Sequence, residues 1–277
     1  AARLGRAVLV FEAAAGVVLV AGAAIALRSF LGLATADLGY STQGLQEVRI
    51  SPPGDRQGGD DAAELARYRG VLDALRERPG GAAAGGSDST PGSGAAPMSG
   101  ATWNGVLRAG LWRITDGWFE TIRLSVVAGE SIRRIDVDEA RPVAIVSESM
   151  ARRLWPGVPN GEVLGRLLEA EGQPSRRVVG VAADIRDNPL RAAEPRVYVP
   201  VTPEQFWFLD LAVRAEPAVL DPAALVSEIG GRFGVTTFEV RPAGSSIVAA
   251  LQQPRVQAVI FAGFAVVGLL VAAVGLF

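Results

Sequence analysis

The chain has 277 residues, a formal net charge of -2 and a positive mean hydropathy, and it is long enough for one large domain or two small ones. It contains no Cys, no His and no Lys, so all 27 basic residues are Arg. Zinc sites of Cys and His, Cys nucleophiles, Ser-His triads, Schiff bases and Walker A loops are therefore excluded, and the lack of a basic excess argues against nucleic-acid binding.

The first predicted element is an apolar run over residues 7–27, interrupted by Glu12. At about 1.5 Å per residue it reaches about 30 Å, which is long enough to cross a bilayer. Arg3 and Arg6 favour a cytoplasmic N-terminus, and residues 28–33 are expected to continue the helix beyond the membrane. A signal peptide is the competing interpretation, because this basic flank precedes a run that ends in small residues. The length of the run favours a membrane span.

Glu12 is the one acidic residue in this run. Acids inside a membrane often carry a function, such as pairing with a basic group on a neighbouring helix. We favour the simpler interpretation of a shallow interfacial Glu. The glycines of both apolar ends, among them Gly16 and Gly268, are expected to permit close approach of helices, although no strict GxxxG occurs.

Residues 37–40 are expected to break the first helix. Residues 45–50 alternate apolar and polar side chains and predict a half-buried strand, and residues 61–78 predict an amphipathic helix that packs on a sheet. Residues 81–105 are rich in Gly, Ala, Ser and Pro and predict a weak strand at 82–84 followed by a mobile loop. A phosphate cradle in this stretch is disfavoured, because no GxGxxG lies between a strand and a helix.

From residue 111 onwards, strands and helices alternate, which predicts an α+β fold with βαβ-like units. Two boundaries carry local signals: Ser147 is expected to cap a helix over 148–154, and Thr115 or Asp116 a helix over 116–122. A turn is expected at 126–130 and a second amphipathic helix at 222–233. The remaining strands are expected at 111–115, 142–146, 176–183, 197–200 near an edge of the sheet, 209–214 and 236–241.

The last element is a second apolar run over residues 256–277, interrupted by Gln257. It is also long enough to cross a bilayer. The chain does not start with Met and stops inside this run, so we expect it to be an excerpt of a longer polypeptide. The simplest organisation is a folded domain held at both ends by membrane helices.

Three sequence segments resemble those of a known family: residues 112–119 (WRITDGWF), 142–156 (PVAIVSESMARRLWP) and 178–186 (VVGVAADIR). Together with VYVP at 197–200 and QPR at 253–255, they resemble the extracytoplasmic core domain of MacB-like, FtsX-like ABC transporter permeases. The similarity is greatest to the duplicated, long-chain permeases first grouped in acidobacteria. It covers nearly the whole chain.

The resemblance implies a multi-pass protein of the inner (cytoplasmic) membrane with its core domain in the periplasm. Residues 1–29 would form the first membrane helix with a short cytoplasmic flank, 30–254 the two-subdomain core, and 255–277 the start of a second, truncated membrane helix. An outer subdomain at 111–200 would be inserted between 45–110 and 205–250. The family implies no catalytic residue, cofactor or metal in this chain.

The partners that the resemblance implies are a separate ABC ATPase, the remaining permease helices, membrane lipid and a second permease half, in a homodimer or in a pseudo-dimer made by duplication. Movement of the membrane helices would be passed to the outer domain, which is called mechanotransmission. The Gly/Ser-rich stretch at 81–100 and a short C-terminal half depart from the family pattern.

Two other functions are open from the residues alone. A two-span sensor would bind a ligand outside and signal through residues 256–277. A membrane-anchored hydrolase could use Asp184 and Asp187 as paired carboxylates, although Asp184 is more simply a turn former at the end of a strand. Four tryptophans could stack on a sugar or drug, but we favour core packing for them: Trp112, Trp118, Trp155 and Trp207.

Overall fold

The computed structural model describes residues 2–51, 61–77, 83–88, 91, 99–187, 191–202, 209–214, 228 and 231–275. The chain divides into two compact units. The helix unit comprises Ala1–Asp37 and Ser246–Phe277, and the sheet unit comprises Leu38–Ser245. The predicted helix break at residues 37–40 is confirmed and falls at the boundary between the units.

In its described residues the sheet unit has eleven strands in one mixed sheet, with helices between them. The strands are β1 Leu45–Ser51, β2 Ala83–Ser87, β3 Ser99–Trp103, β4 Leu107–Ile114, β5 Val126–Gly129, β6 Val143–Ser147, β7 Leu167–Leu168, β8 Arg176–Ala182, β9 Arg196–Pro200, β10 Leu209–Arg214 and β11 Thr236–Pro242. The helices are α2 Asp61–Arg76, α3 Trp118–Ile122, α4 Arg134–Asp138, α5 Glu148–Leu154 and α6 Asn160–Val163. The predicted α+β class is confirmed.

The strand order is β11-β1-β10-β2-β4-β9-β6-β8-β5, with β3 paired to β4 and β7 to β8. β6 and β8 are parallel neighbours joined through α5 and α6, which is the predicted βαβ-like unit. β2 and β4 share a single residue pair, Ser87 with Ile114. Among the described strands, pairing is thus weakest between the strands of 99–200 and the others. The predicted division between an outer subdomain at 111–200 and the rest would fall near this point, and that division stays a prediction.

Two of the expected loops are strands. Residues 126–129 form β5, which pairs with β8, and residues 99–103 form β3, which pairs with β4 along its whole length. The prediction of a turn at 126–130 and of a loop reaching residue 105 was wrong at these places. Short segments gain strand geometry from the neighbour that pairs with them, and the sequence of such segments carries little signal of its own.

β9 lies in the middle of the sheet, between β4 and β6, and all five of its residues are buried. The prediction that 197–200 lies near an edge was therefore wrong. It rested on Pro200, because Pro cannot donate a hydrogen bond to a neighbouring strand. Pro200 is the last residue of the strand, where a missing N–H removes no internal ladder bond.

The two faces of the central strands bury different residues. On one face, Leu111, Val146 and Val197 pack with Met150 of α5 and with Trp103. On the opposite face, Trp112 of β4 packs against Trp118 of α3. Each strand alternates between the faces, so β4 contributes to both layers of the core.

The helix unit contains α1 Ala2–Ala34 and the final helix, α7 Ser245–Gly275. Within the described residues, one helix segment is long and apolar enough to cross a membrane, Ala14–Ala34. The predicted continuation of the first helix through residue 33 is confirmed. The predicted second span at 256–277 falls within α7 up to Gly275, with residues 276–277 outside the described range, and stays a prediction.

α1 and α7 approach each other closely at two glycines. A Cβ atom added to Gly268 would lie 3.8 Å from the Cα of Gly16 and 3.1 Å from Cδ1 of Leu19. The expected close approach of helices at these glycines is confirmed. The role of Glu12 stays a prediction, because its side chain lies outside the described part of α1.

Candidate functional site

The two chain segments that connect the sheet unit to α1 and α7 run side by side. β1 follows α1 in the chain, β11 precedes α7, and the two strands form an antiparallel ladder at one edge of the sheet. Gln46 is in register with Pro242, and the N–H of Ala243 donates to the carbonyl of Leu45 at 3.0 Å. Both connections therefore enter one hydrogen-bonded pair of strands. We call residues 38–51 and 236–245 the junction.

Arg214, at the end of β10, holds the first part of the junction through backbone carbonyls. Its Nη2 donates to the carbonyl of Ser41 at 2.5 Å, its Nη1 donates to that of Gln43, and its Nε donates to that of Thr121 at 2.7 Å. Burial and the neighbouring charge of Arg123 lower the pKa of Arg214. The planar guanidinium offers several donors in fixed directions, so one side chain joins both the loop at residues 41–43 and helix α3 to the sheet.

Backbone contacts hold residues 38–41 from the other side. The N–H of Arg186 donates to the carbonyl of Leu38 at 2.9 Å, and the N–H of Ser41 donates to that of Ile122 at 3.0 Å. Gly39 has a positive φ of 80°, and a Cβ added there would overlap the carbonyl oxygen of Asp184. Only glycine fits this position, because it tolerates the left-handed conformation and the close approach.

A polar cluster covers one face of the junction strands. Arg49 of β1 binds Asp210 of β10 through two hydrogen bonds of 2.7 and 2.9 Å. Glu47 is buried, and its Oε2 lies 3.5 Å from Nε of Arg241 on β11. Burial raises the pKa of Glu47 to about 7; the charge of Arg241 lowers it, and the charge of Asp210 raises it further. The junction therefore contains a carboxyl group that changes charge near neutral pH.

The predicted paired carboxylates bind separate arginines. Asp184 accepts the N–H of Ser149 at 2.8 Å and Nη2 of Arg152 at 2.9 Å, so both of its oxygens hold the first turns of α5. Asp187 pairs with Arg196. A hydrolase needs one carboxylate free to exchange protons or attack a substrate. The contacts of Asp184 are those of a helix anchor, and a hydrolytic role for the pair stays a prediction without a structural observation in its favour.

The tryptophans mainly form core, as expected. Trp112 and Trp118 are buried, with ring centroids 5.7 Å apart, and both stack near Tyr198 at 5.9 Å. Trp155 is partly buried, with the guanidinium of Arg166 5.7 Å from its ring centre. Trp207 lies outside the described residues. Aromatic stacking on a ligand is thus not available at Trp112 or Trp118 in this fold.

The helix cap at 147 is confirmed, whereas the one at 115–116 was wrong. Ser147 accepts the N–H of Met150 at 3.3 Å at the start of α5. Helix α3 starts after Gly117, which has a left-handed conformation and no side-chain cap. The carboxylate of Asp116 instead accepts Nη1 of Arg76 at 2.9 Å, because an arginine of α2 lies within reach.

The glycines of β2 serve helix packing. A Cβ added to Gly85 would overlap the backbone of Trp118 and lie 2.7 Å from its nitrogen. The Gly-rich composition of this strand therefore allows α3 to lie directly on the sheet. Among the described residues no group of three or more His, Cys, Asp and Glu side chains could hold a metal ion.

Two structural arginines were missed by sequence reasoning. Arg196 is 3% exposed; it stacks over Trp112 at 4.7 Å and donates to the carbonyl of Ile185 at 2.9 Å. Arg214 is the second. Nothing in the local sequence marks either one, because the groups they bind are up to 173 residues away in the chain.

Comparison with known proteins places the chain in a family. Residues 11–230 match the MacB-like periplasmic core domain. Among solved structures, the extracellular domain of the noncanonic ABC-type transporter YknZ from Gram-positive bacteria is similar at 16% identity and a TM-score of 0.45, covering 70% of this chain and 100% of that one. The periplasmic region of MacB from Actinobacillus actinomycetemcomitans is similar at 15% identity and a TM-score of 0.49, covering 77% and 94%.

Among curated proteins, none matches the chain by sequence. The family match covers most of the chain, from α1 to beyond β10, and includes the three sequence segments at 112–119, 142–156 and 178–186. A domain of this family lies outside the cytoplasm and belongs to a membrane protein. The chain belongs to the family of MacB-like periplasmic core domains of ABC transporter permeases.

Proposed function

We propose that the sheet unit is a lever: it receives movement from α1 and α7 through the junction, and a separate ABC ATPase drives that movement. The observation that carries the proposal is the ladder between β1 and β11, which has six residue pairs. Because each strand is continuous in the chain with one long helix, displacement of either helix pulls on the same pair of strands.

The contacts of the junction suit this role. The six residue pairs between β1 and β11 resist separation of the two connecting segments, and Arg214 ties the first segment to β10, so the segments are expected to move as one body with the sheet. A lever requires a stiff connection to its source of movement, since a compliant one would absorb the displacement. The free energy of nucleotide binding and hydrolysis is supplied by the partner.

The proposal includes a multi-pass topology in the inner membrane, with α1 and the apolar part of α7 as two spans. Further permease helices and a second permease half, in a homodimer or in a pseudo-dimer made by duplication, would complete the transporter. The core between residues 30 and 254 would comprise the two subdomains that meet between β2 and β4. The chain would work as a mechanical part without catalysis of its own.

The absence of cysteine allows a direct test, because one introduced Cys is unique in the chain. The full-length permease with its ATPase is reconstituted in lipid vesicles, with a fluorophore on a cysteine at the highly exposed Val106. We expect the signal to differ between ATP and ADP states. Arg214→Ala should reduce this difference at unchanged ATP hydrolysis, whereas Arg177→Ala, at an exposed position of β8, should leave it intact.

Three results would contradict the proposal. The first is an impermeant maleimide that reaches Val106→Cys only from the cytoplasmic side. The second is magnesium-dependent ATP hydrolysis by this chain in the absence of the ATPase. The third is a fluorescence change that follows a small ligand and is insensitive to nucleotide, which would favour the two-span sensor.

A further inference from the structure

A groove of about 610 Å³ lies on the sheet unit, where the first residues of β4 meet the segment that leads into β9. Three arginines from different elements line it: Arg108 of β4, Arg153 of α5 and Arg191 before β9. Glu194 is the one carboxylate among the lining residues. The groove therefore has a formal charge of +2, from three arginines and one glutamate, in a chain whose net charge is -2.

These three arginines are exposed and make no ion pair within the part of the chain that the structure describes. The contrast with their neighbours is clear, since Arg152, next to Arg153, binds Asp184 at 2.9 Å. Like charges gathered around a concave surface focus a positive potential there. An anionic partner would be attracted to the groove and would relieve the mutual repulsion of the arginines.

The groove also contains an open edge of a strand. The N–H of Gly110 donates to the carbonyl of Pro195 at 3.3 Å, where the parallel pairing of β4 with β9 begins. Arg108 lies two residues before Gly110, so its backbone N–H and carbonyl point towards the same neighbouring segment as those of Gly110. In a parallel ladder its carbonyl would accept the N–H of residue 195, which is a proline and has none. Among the described residues, β9 therefore provides no backbone donor for the Arg108 carbonyl, which leaves this edge of β4 open to another chain.

Small residues leave the groove open between its charged rims. A chain lying beside β4 would meet few bulky side chains and could approach the backbone. The small lining residues are Gly100, Ala109, Gly110, Ala192, Ala193 and Pro195.

We propose that this groove binds an extended acidic segment of a partner protein. Carboxylates of the segment pair with Arg108, Arg153 and Arg191, and one of its backbone N–H groups donates to the Arg108 carbonyl. Addition of a strand to an open edge is a recurring mode of peptide recognition, in which the backbone provides affinity and side chains provide specificity. A single phosphate would use the charge of the groove but not its strand edge, so the combination favours a peptide.

Fluorescence anisotropy of a labelled hexapeptide of Glu and Ser, titrated with the full chain in uncharged detergent, tests this. We expect saturable binding that weakens at high salt, because the contacts are exposed charges. The triple variant R108Q, R153Q and R191Q should bind about tenfold or more weakly. The matched control R177Q should bind as the unchanged chain does. Tryptophan fluorescence verifies that each variant is folded, and the single variants replace the triple one if it does not fold.

Two further probes distinguish the peptide from a plain anion. A peptide of the same charge with alternate N-methylated amides should bind several-fold more weakly, because it cannot donate to Arg108. The proposal would be overturned if the N-methylated peptide bound as tightly as the unmodified one. It would also be overturned if inorganic pyrophosphate displaced the acidic peptide at equal concentration, because either result would show a simple anion site. Equal affinity of the unchanged chain and the triple variant would also overturn it.

Discussion

The buried carboxyl group of the junction is expected to make the sheet unit less stable as the pH rises. The side chain of Glu47 is 5% exposed, and burial raises its pKa from 4.5 to about 7. The folded pKa exceeds the unfolded pKa by about 2.5. Each whole step in pKa is worth about 1.4 kcal/mol, so ionisation of Glu47 lowers the free energy of unfolding by about 3 kcal/mol. Glu47→Gln keeps the shape and one acceptor but cannot ionise, so it should remove this dependence.

The direction of the effect follows from proton binding. Because the folded pKa of Glu47 lies above the unfolded one, the native state binds more protons between pH 4.5 and 7. The contribution of Glu47 to the free energy of unfolding is then fully present below pH 4.5, falls across this window and is lost above pH 7. The unfolding free energy of Glu47→Gln minus that of the unchanged chain should therefore rise by about 3 kcal/mol from pH 4.5 to 8.

Urea unfolding of the full chain in uncharged detergent measures this difference. The four described tryptophans lie in the sheet unit, so their fluorescence reports its unfolding (Trp103, Trp112, Trp118 and Trp155). Subtracting the two chains at each pH cancels the titration of the other carboxylates. Gln46→Asn, which changes no ionisable group of β1, is the control and should give a flat difference. A Glu47→Gln difference that varies by less than about 0.5 kcal/mol would refute the reasoning.

Three further predictions concern the core and the junction. Gly85→Ala should lower the unfolding free energy by about 2 kcal/mol or more in the urea titration, because the added Cβ meets the backbone of α3, which cannot move away. Gly161 lies in open space, so Gly161→Ala should change the unfolding free energy little. Ser147→Ala leaves two buried N–H groups without an acceptor and should cost about 2 kcal/mol by thermal melting; no change would mean that water replaces the hydroxyl. Cysteines that replace Gln46 and Pro242 should form a disulfide on oxidation, and the nucleotide response of the reconstituted transporter should stay intact. Loss of that response would show that β1 and β11 separate during the cycle.

Local signals predicted the elements whose ends are set by their own residues. Helix α5 has the predicted bounds, because Ser147 caps it and Trp155-Pro156-Gly157 ends it. β10 likewise has its predicted limits, from an alternating run. β9 was placed wrongly in the sheet because strand order depends on partners distant in the chain, and its sequence of five residues does not specify them.

The junction could be predicted only in part. The sequence indicates a strand after the first long helix and another before the last one, but nothing in either strand indicates that they pair with each other. Gly85 and Gly39 were interpretable only as flexible or turn residues, since the groups that exclude a Cβ atom belong to residues 33 or more positions away. Contacts of this kind depend on the tertiary fold and leave no periodic signal.

The absence of lysine has a consequence for how the loops are held. An ammonium group binds as a point charge, whereas a guanidinium presents donors along fixed directions in a plane. Arg76 uses this geometry to bind the carbonyl of Ala84 through two nitrogens, at 3.0 and 2.9 Å, together with the carboxylate of Asp116. Arg214 binds carbonyls of the loop at Ser41 and of helix α3 in the same manner. In a chain without disulfides or metal-binding Cys and His, partly buried arginines can thus cross-link segments that are distant in sequence. At the junction this cross-link connects the segment after α1 to the sheet that it would move.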